Sequence, residues 1–205
     1  LDPEYEILDT GVFDDNRYFD VLVTYAKQSD QDIFIKISIT NRYSKPADIH
    51  VLPHLWYYNR WSNKQMHQKP AITRVNKTTV KASHENLGNY YFYFQPATDS
   101  LFTDNETNTE TVNGIPNESI FVKDAIHRAV IKNENTEQLR KRNAGTKFAA
   151  VYKATLAAGE TKTIYCRLSN QVMDNAFVRG FADIFTIRKQ EADDYYAAIL
   201  PKGMN

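Results

Sequence analysis

Only one cysteine, Cys166, occurs in 205 residues, so no internal disulfide framework holds this chain together. It lies in an alternating run with Ile164 and Leu168, which reads as a buried, inert thiol. An excess of one charge is missing too, because Lys+Arg and Asp+Glu number 25 each. Nothing basic enough to attract nucleic acid is present, and the densest run, Arg140-Lys141-Arg142, reads as a solvated loop. No apolar stretch approaches the ~20 residues that span a bilayer as a helix, so no membrane partner is expected. There is no G-x-S-x-G, P-loop, G-x-G-x-x-G or Cys-rich zinc spacing, hence no cofactor and no metal is expected. Repeats and low-complexity tracts are also absent. The chain opens on Leu1-Asp2-Pro3 without a signal peptide or an initiator Met. It therefore reads as a piece of a longer protein with a cytoplasmic parent.

What is abundant is aromatic: 13 tyrosines and 11 phenylalanines. Tyrosine suits both strand faces and sugar-binding surfaces. Ile33, Ile35, Ile37 and Ile39 alternate with Phe34, Lys36, Ser38 and Thr40, the two-residue period of a strand with one buried face. After a turn over residues 42–48, Ile49, Val51, Leu55 and Tyr57 repeat the pattern. The spacing predicts an antiparallel pair at the centre of a large sheet, with Pro53 at an edge or bulge because it cannot donate to the ladder.

Further strands are predicted over residues 4–8, 18–25, 72–75, 79–82 and 90–94, the last rich enough in aromatics to be buried on both faces. Residues 103–113 and 133–146 read as polar loops, with Gly145 as a turn point and another turn at 114–117. Asp124 is placed to cap a short helix through Ala125, Ile126, Ala129 and Val130. Phe148 to Leu156 and Ile164 to Leu168 alternate on either side of an Ala158-Gly159-Glu160 turn. From Asp174 onward the period changes to three and four, predicting a helix of ~25 residues capped by Asp174 or Asn175 and stopped by Pro201. The whole is an all-β, mainly antiparallel sandwich over 1–172, followed by a long connecting helix over 173–200.

Three groups carry candidate chemistry. Trp56, Asn59, Arg60 and Trp61 combine flat rings that stack on sugar C–H faces with planar hydrogen-bonding groups. The alternative is that Trp56 packs in the core beside an ordinary loop. Asp104, Glu106 and Asn108 lie in an acidic stretch, and paired carboxylates can do acid–base work on a glycosidic bond. Yet residues so close in sequence would not straddle a substrate, and a polar contact with a sugar or a neighbouring domain fits them better. Among His50, His54, His67, His84 and His127, the first two share a strand face, but a metal site needs a third ligand.

Three stretches resemble the glucosidase-like proteins related to glycoside hydrolase family 63. They are residues 8–21, Leu52-Pro53-His54-Leu55-Trp56-Tyr57-Tyr58-Asn59-Arg60-Trp61-Ser62, and Leu101-Phe102-Thr103-Asp104-Asn105-Glu106-Thr107-Asn108. Gly114-Ile115-Pro116-Asn117, Phe121-Val122-Lys123-Asp124 and Gly145-Thr146-Lys147 continue the likeness, which covers nearly the whole chain. The family pattern differs at Tyr58, Arg60 and Asn63, where it has Arg, Thr and often Trp. The resemblance implies a galactose-mutarotase-like β-super-sandwich, a linker helix, and an (α/α)6 barrel that carries the catalytic acid and base. On that reading the barrel lies outside this sequence and no residue here is catalytic. It adds Lys123 and Asp124 to the contacts with substrate or with the catalytic domain, the expected partners being that domain and a saccharide. The other readings are a stand-alone carbohydrate-binding module and a mutarotase-like epimerase using His54 with a carboxylate.

Overall fold

A computed structural model describes residues 4–62, 68–177 and 181–201. Among these residues 39% are in strands and 22% in helices, and the sheets are mainly antiparallel, consistent with an all-β sandwich. The elements run β1 (Phe19–Ser29), β2 (Asp32–Asn41), β3 (Ala47–Val51), β4 (His54–Trp56), β5 (Ala71–Asn76), β6 (Thr79–His84), β7 (Gly88–Phe94) and β8 (Asp99–Thr103). Then come α1 (Thr109–Asn113), α2 (Ala125–Lys132), α3 (Thr136–Arg140), β9 (Ala144–Gly145), β10 (Lys147–Leu156), β11 (Thr161–Ser169) and α4 (Asp183–Ile199). The chain divides into two compact units, Leu1–Ala47 with Leu156–Asn205, and Asp48–Thr155.

In the first unit β2 runs between β1 and β11, with Val23 and Ile164 each opposite Ile37. The predicted hairpin of β2 with β3 therefore does not form. Both edges of β2 are taken, and the fully buried Asn41 turns the chain away by donating to the carbonyls of Lys45 (2.9 Å) and Leu156 (2.9 Å). The turn at Gly159 is present, but β11 leaves it to pair with β2. Ile37 and Ile39 are buried while Ile33 and Ile35 are half-buried, because Phe34 is taken inward on the opposite face. Cys166 is fully buried and burial pushes its thiol up to about 12.

Arg167 fixes the far end of this ladder. Its Nε and Nη2 fork onto the two Asp32 oxygens (2.8 and 2.6 Å), Nη1 donates to Ala176 O (2.9 Å), and the guanidinium lies 4.4 Å from the Phe34 ring centre. Phe34 in turn stacks on Phe181 at 4.2 Å. Helix α4 follows with Ile184 buried against the same cluster. It has 17 residues, shorter than predicted and starting later. The reason is local: Asn175 accepts from Phe177 N (3.1 Å) in a turn, and Arg167 holds the carbonyl between them. Residues 4–8 are not a strand either. Glu6 N donates to Asp9 Oδ2 (2.8 Å) and Thr10 Oγ1 to Ile7 O (2.6 Å), which closes a 3-10 turn over Ile7–Thr10.

The second unit is a two-layer sandwich. β5, β6 and β7 form a meander, with β9 on the far edge of β5. The other layer has β10 flanked by β8 on one edge and by β3 and β4 on the other. The strand breaks at Leu52–Pro53, as proline dictates, and Pro53 O accepts from Ala150 N (3.1 Å). Between the layers Phe92 and Phe94 meet Phe148, which is 5.0 Å from Phe102. On the outer face of β8 and β10, Leu101, Ala149 and Val151 pack with Ile126, Ala129 and Leu139 of α2 and α3. α1, α3 and β9 arise from segments that read as loop, and β8 from residues for which no strand is predicted.

Replacing Arg167 by Met leaves a buried carboxylate unpaired, so Arg167→Met is expected to lose about 3–5 kcal/mol in urea denaturation. Adding Asp32→Asn to it recovers part of that loss; an unchanged midpoint in the single variant contradicts the role given to the pair.

Candidate functional site

Gly145 sets up the site by letting β9 press onto β8: a Cβ there would lie 2.3 Å from Thr103 O. It is a point of close approach rather than the predicted turn. Thr146 can then clip two loops together. Its N–H donates to Thr103 O (3.1 Å), its Oγ1 accepts from Asn105 N (2.7 Å), and its carbonyl accepts from Tyr57 N (3.1 Å). Asn105 Nδ2 completes the clip by donating to Tyr57 O (2.9 Å).

The clip joins the segment after β4 to the segment after β8. Trp61 Nε1 donates to Glu106 Oε1 (2.9 Å), and Lys69 Nζ donates to the same oxygen (2.7 Å) while lying 5.7 Å from the Trp61 ring centre. Asp104 accepts from Arg142 Nη2 (3.0 Å) and pairs with Lys69 (3.5 Å). Arg142 sits over Phe121 at 4.9 Å, so the run 140–142 is not a solvated loop: Arg140 pairs with Asp99 and Arg142 is half-buried. Two carboxylates meet two cations. Burial works to raise the Glu106 carboxyl, but the bonds from Lys69 and Trp61 outweigh it and hold it below the usual range. For Lys69 burial likewise loses to Glu106 and Asp104, and its ammonium is held above the usual range.

The other sequence candidates have separate duties. Asn108 is buried: Nδ2 donates to Asp124 Oδ2 (2.9 Å), and Oδ1 accepts from Thr111 N (3.1 Å), capping α1, and from Asn117 Nδ2 (2.8 Å). Asp124 stands at the start of α2 but its side chain caps nothing; it turns to Asn108 and to Arg128 (3.5 Å). Lys123 N donates to Glu106 O (3.1 Å), and its Nζ to Thr107 Oγ1 (3.2 Å). Asn59 closes a turn with Ser62 (2.8 Å). Arg60 is exposed. Trp56 lies opposite Lys147 in β4 and is 57% exposed, so it is not a core residue. Lys69, Arg142 and Thr146 carry no signal as site residues in the sequence, since the partner of each is remote along the chain.

A second feature lies beside α2. His50, His54, His127, Lys123 and Lys147 line a cavity of ≈ 300 Å³. Its apolar part is Leu52, Ile126, Val130 and Ile131. Burial, with Lys147 adding to it, lowers His54 to about 4. Lys147 is itself held below its ordinary value by burial and by Lys123, with Asp124 opposing. His84 instead meets the Tyr57 ring at 5.4 Å and accepts from Asn86 N (3.1 Å); His67 lies outside the described residues. Among the described residues no cluster of His, Cys, Asp or Glu could hold a metal ion, and no helix is long and apolar enough to cross a membrane. Comparison with protein-family models and with curated proteins returns no match.

Because His54 titrates near 4 when folded and near 6.5 when unfolded, the unfolded chain takes up this proton first as pH falls. Its stabilising contribution is complete above about pH 6.5 and lost toward pH 4. The difference in unfolding free energy between wild type and His54→Gln is expected to slope across that window; a flat difference contradicts it. Gly145→Ala is expected to lose about 1–3 kcal/mol through overpacking against Thr103, read by thermal denaturation.

Proposed function

We propose that this chain is the non-catalytic N-terminal β-sandwich domain of an inverting α-glycosidase related to glycoside hydrolase family 63. In this reading it packs on a catalytic domain of the same parent chain and shapes one side of the saccharide cleft. The observation that carries it is the corner of Trp61, Glu106, Lys69, Asp104 and Arg142. A glycosidase acid needs a carboxyl kept protonated by its surroundings. Glu106 is held ionised instead, and Asp104 is committed to Lys69 and Arg142. What the corner offers is an indole flanked by rigid polar groups, which suits contact with sugar hydroxyls and ring faces rather than bond cleavage. The resemblance over residues 52–62 and 101–108 falls on the two loops that Thr146 clips together. A cytoplasmic parent accords with the single buried thiol of Cys166.

A carbohydrate-binding module that works alone is the second reading, favoured by the exposure of Trp56. An epimerase built on His54 finds less support, since among the described residues no carboxylate lines the cavity that His54 faces. The purified chain is expected to hydrolyse no aryl α-glucoside above a buffer blank; turnover would sink the proposal. Titration with a panel of glucosides separates the two readings. A flat response fits a domain that needs its catalytic partner, whereas saturable binding lost in Trp61→Ala selects the module.

A further inference from the structure

We propose that the cavity between β3–β4 and α2 is a binding site for a small organic anion, a carboxylate or phosphate monoester with a short apolar body. Five basic side chains converge on it from five places: His50 from β3, His54 from β4, Lys123 from the residues before α2, His127 from α2 and Lys147 from β10. Among the described residues no acidic side chain lines it. The nearest carboxylate along the chain, Asp124, is turned to Asn108 and Arg128. Among the described residues Lys147 Nζ has one long bond, to Lys123 O (3.4 Å), and Lys123 Nζ reaches a neutral hydroxyl, Thr107 (3.2 Å). Two like charges beside a buried imidazole disfavour one another, and an anion seated among them would relieve that repulsion through charge-assisted hydrogen bonds. The contrast with the Trp61 corner is direct, for there every cation already has a carboxylate.

The remaining wall selects what the anion is attached to. Leu52, Ile126, Val130 and Ile131 are aliphatic and offer no hydrogen bond, so they fit a hydrocarbon or aromatic stem. A cavity of ≈ 300 Å³ is at the small end of ligand sites, which restricts the stem to a ring or a short chain. His54 remains neutral near pH 7 and can donate one ring N–H beside the two ammonium groups. The site is separate from the sugar contact proposed for Trp61 and does not rest on it.

Three probes test this by calorimetry and by the ring-proton NMR signals of the histidines: benzoate, phenyl phosphate and inorganic phosphate. Saturable binding is expected for at least one of the first two, tighter than for inorganic phosphate, and preference between them tells carboxylate from phosphate. The His54 signals should titrate at higher pH with the probe bound. Lys147→Met, which keeps the aliphatic stem, should weaken binding about tenfold, the size of one charge-assisted bond. Lys153→Met, an exposed position on β10 away from the cavity, should bind as wild type. No saturable response to any probe, equal affinity for inorganic phosphate, or full binding in Lys147→Met would each overturn the proposal.

Discussion

Strand β10 is the constraint on which the second unit depends. Every residue from Phe148 to Tyr152 is buried, so the strand must be covered on both faces. A strand allots successive side chains to opposite faces. Phe148 therefore enters the aromatic layer with Phe92, Phe94 and Phe102, while Ala149 and Val151 meet α2 and α3. The small Ala149 lets helices approach that side, and the outer layer of helices is a consequence. The start of the same strand serves both candidate sites. Thr146 clips the Trp61 and Glu106 loops, and Lys147, one residue on, reaches the basic cavity.

The first unit shows the same economy with a polar anchor. Arg167 uses its fork on Asp32, its third donor on Ala176 and its flat face on Phe34. That single side chain ties two strands to the segment leading into α4, which is why the helix begins where it does. Arginine alone among side chains supplies that planar set of donors.

The two sites differ in how charge is disposed. At the Trp61 corner the ionic groups are matched, the Glu106 carboxylate is held ionised and the side chains are mutually fixed. Such a corner presents a rigid surface rather than a proton donor. In the cavity beside α2 the basic groups outnumber acidic ones, burial weakens His54 and Lys147 as bases, and the apolar wall keeps the dielectric low.

Period-two patterning made β1, β5, β6, β7, β10 and β11 legible in the sequence, because burial of one or both faces is written into alternate residues. The aromatic run before Phe94 announced its double burial in the same way. Pairing was not legible: Ile37 alternates identically whether its neighbour is β3 or β11, and the choice was made by Asn41 and by which edge lay open. The Trp61 and Glu106 stretches were each visible as candidates, but their union depends on Thr146 and on a glycine that looked like a turn. The ion pairs of Lys69 and Arg142 were invisible for a related reason, since their carboxylates lie 37 and 38 residues away. His50 and His54 stood out as neighbours, whereas His127 joins them only through the packing of α2. Local backbone preference and one-dimensional periodicity thus belong to the sequence, while partners, ion pairs and cavities belong to contacts between distant segments that only the folded chain brings within a few ångströms.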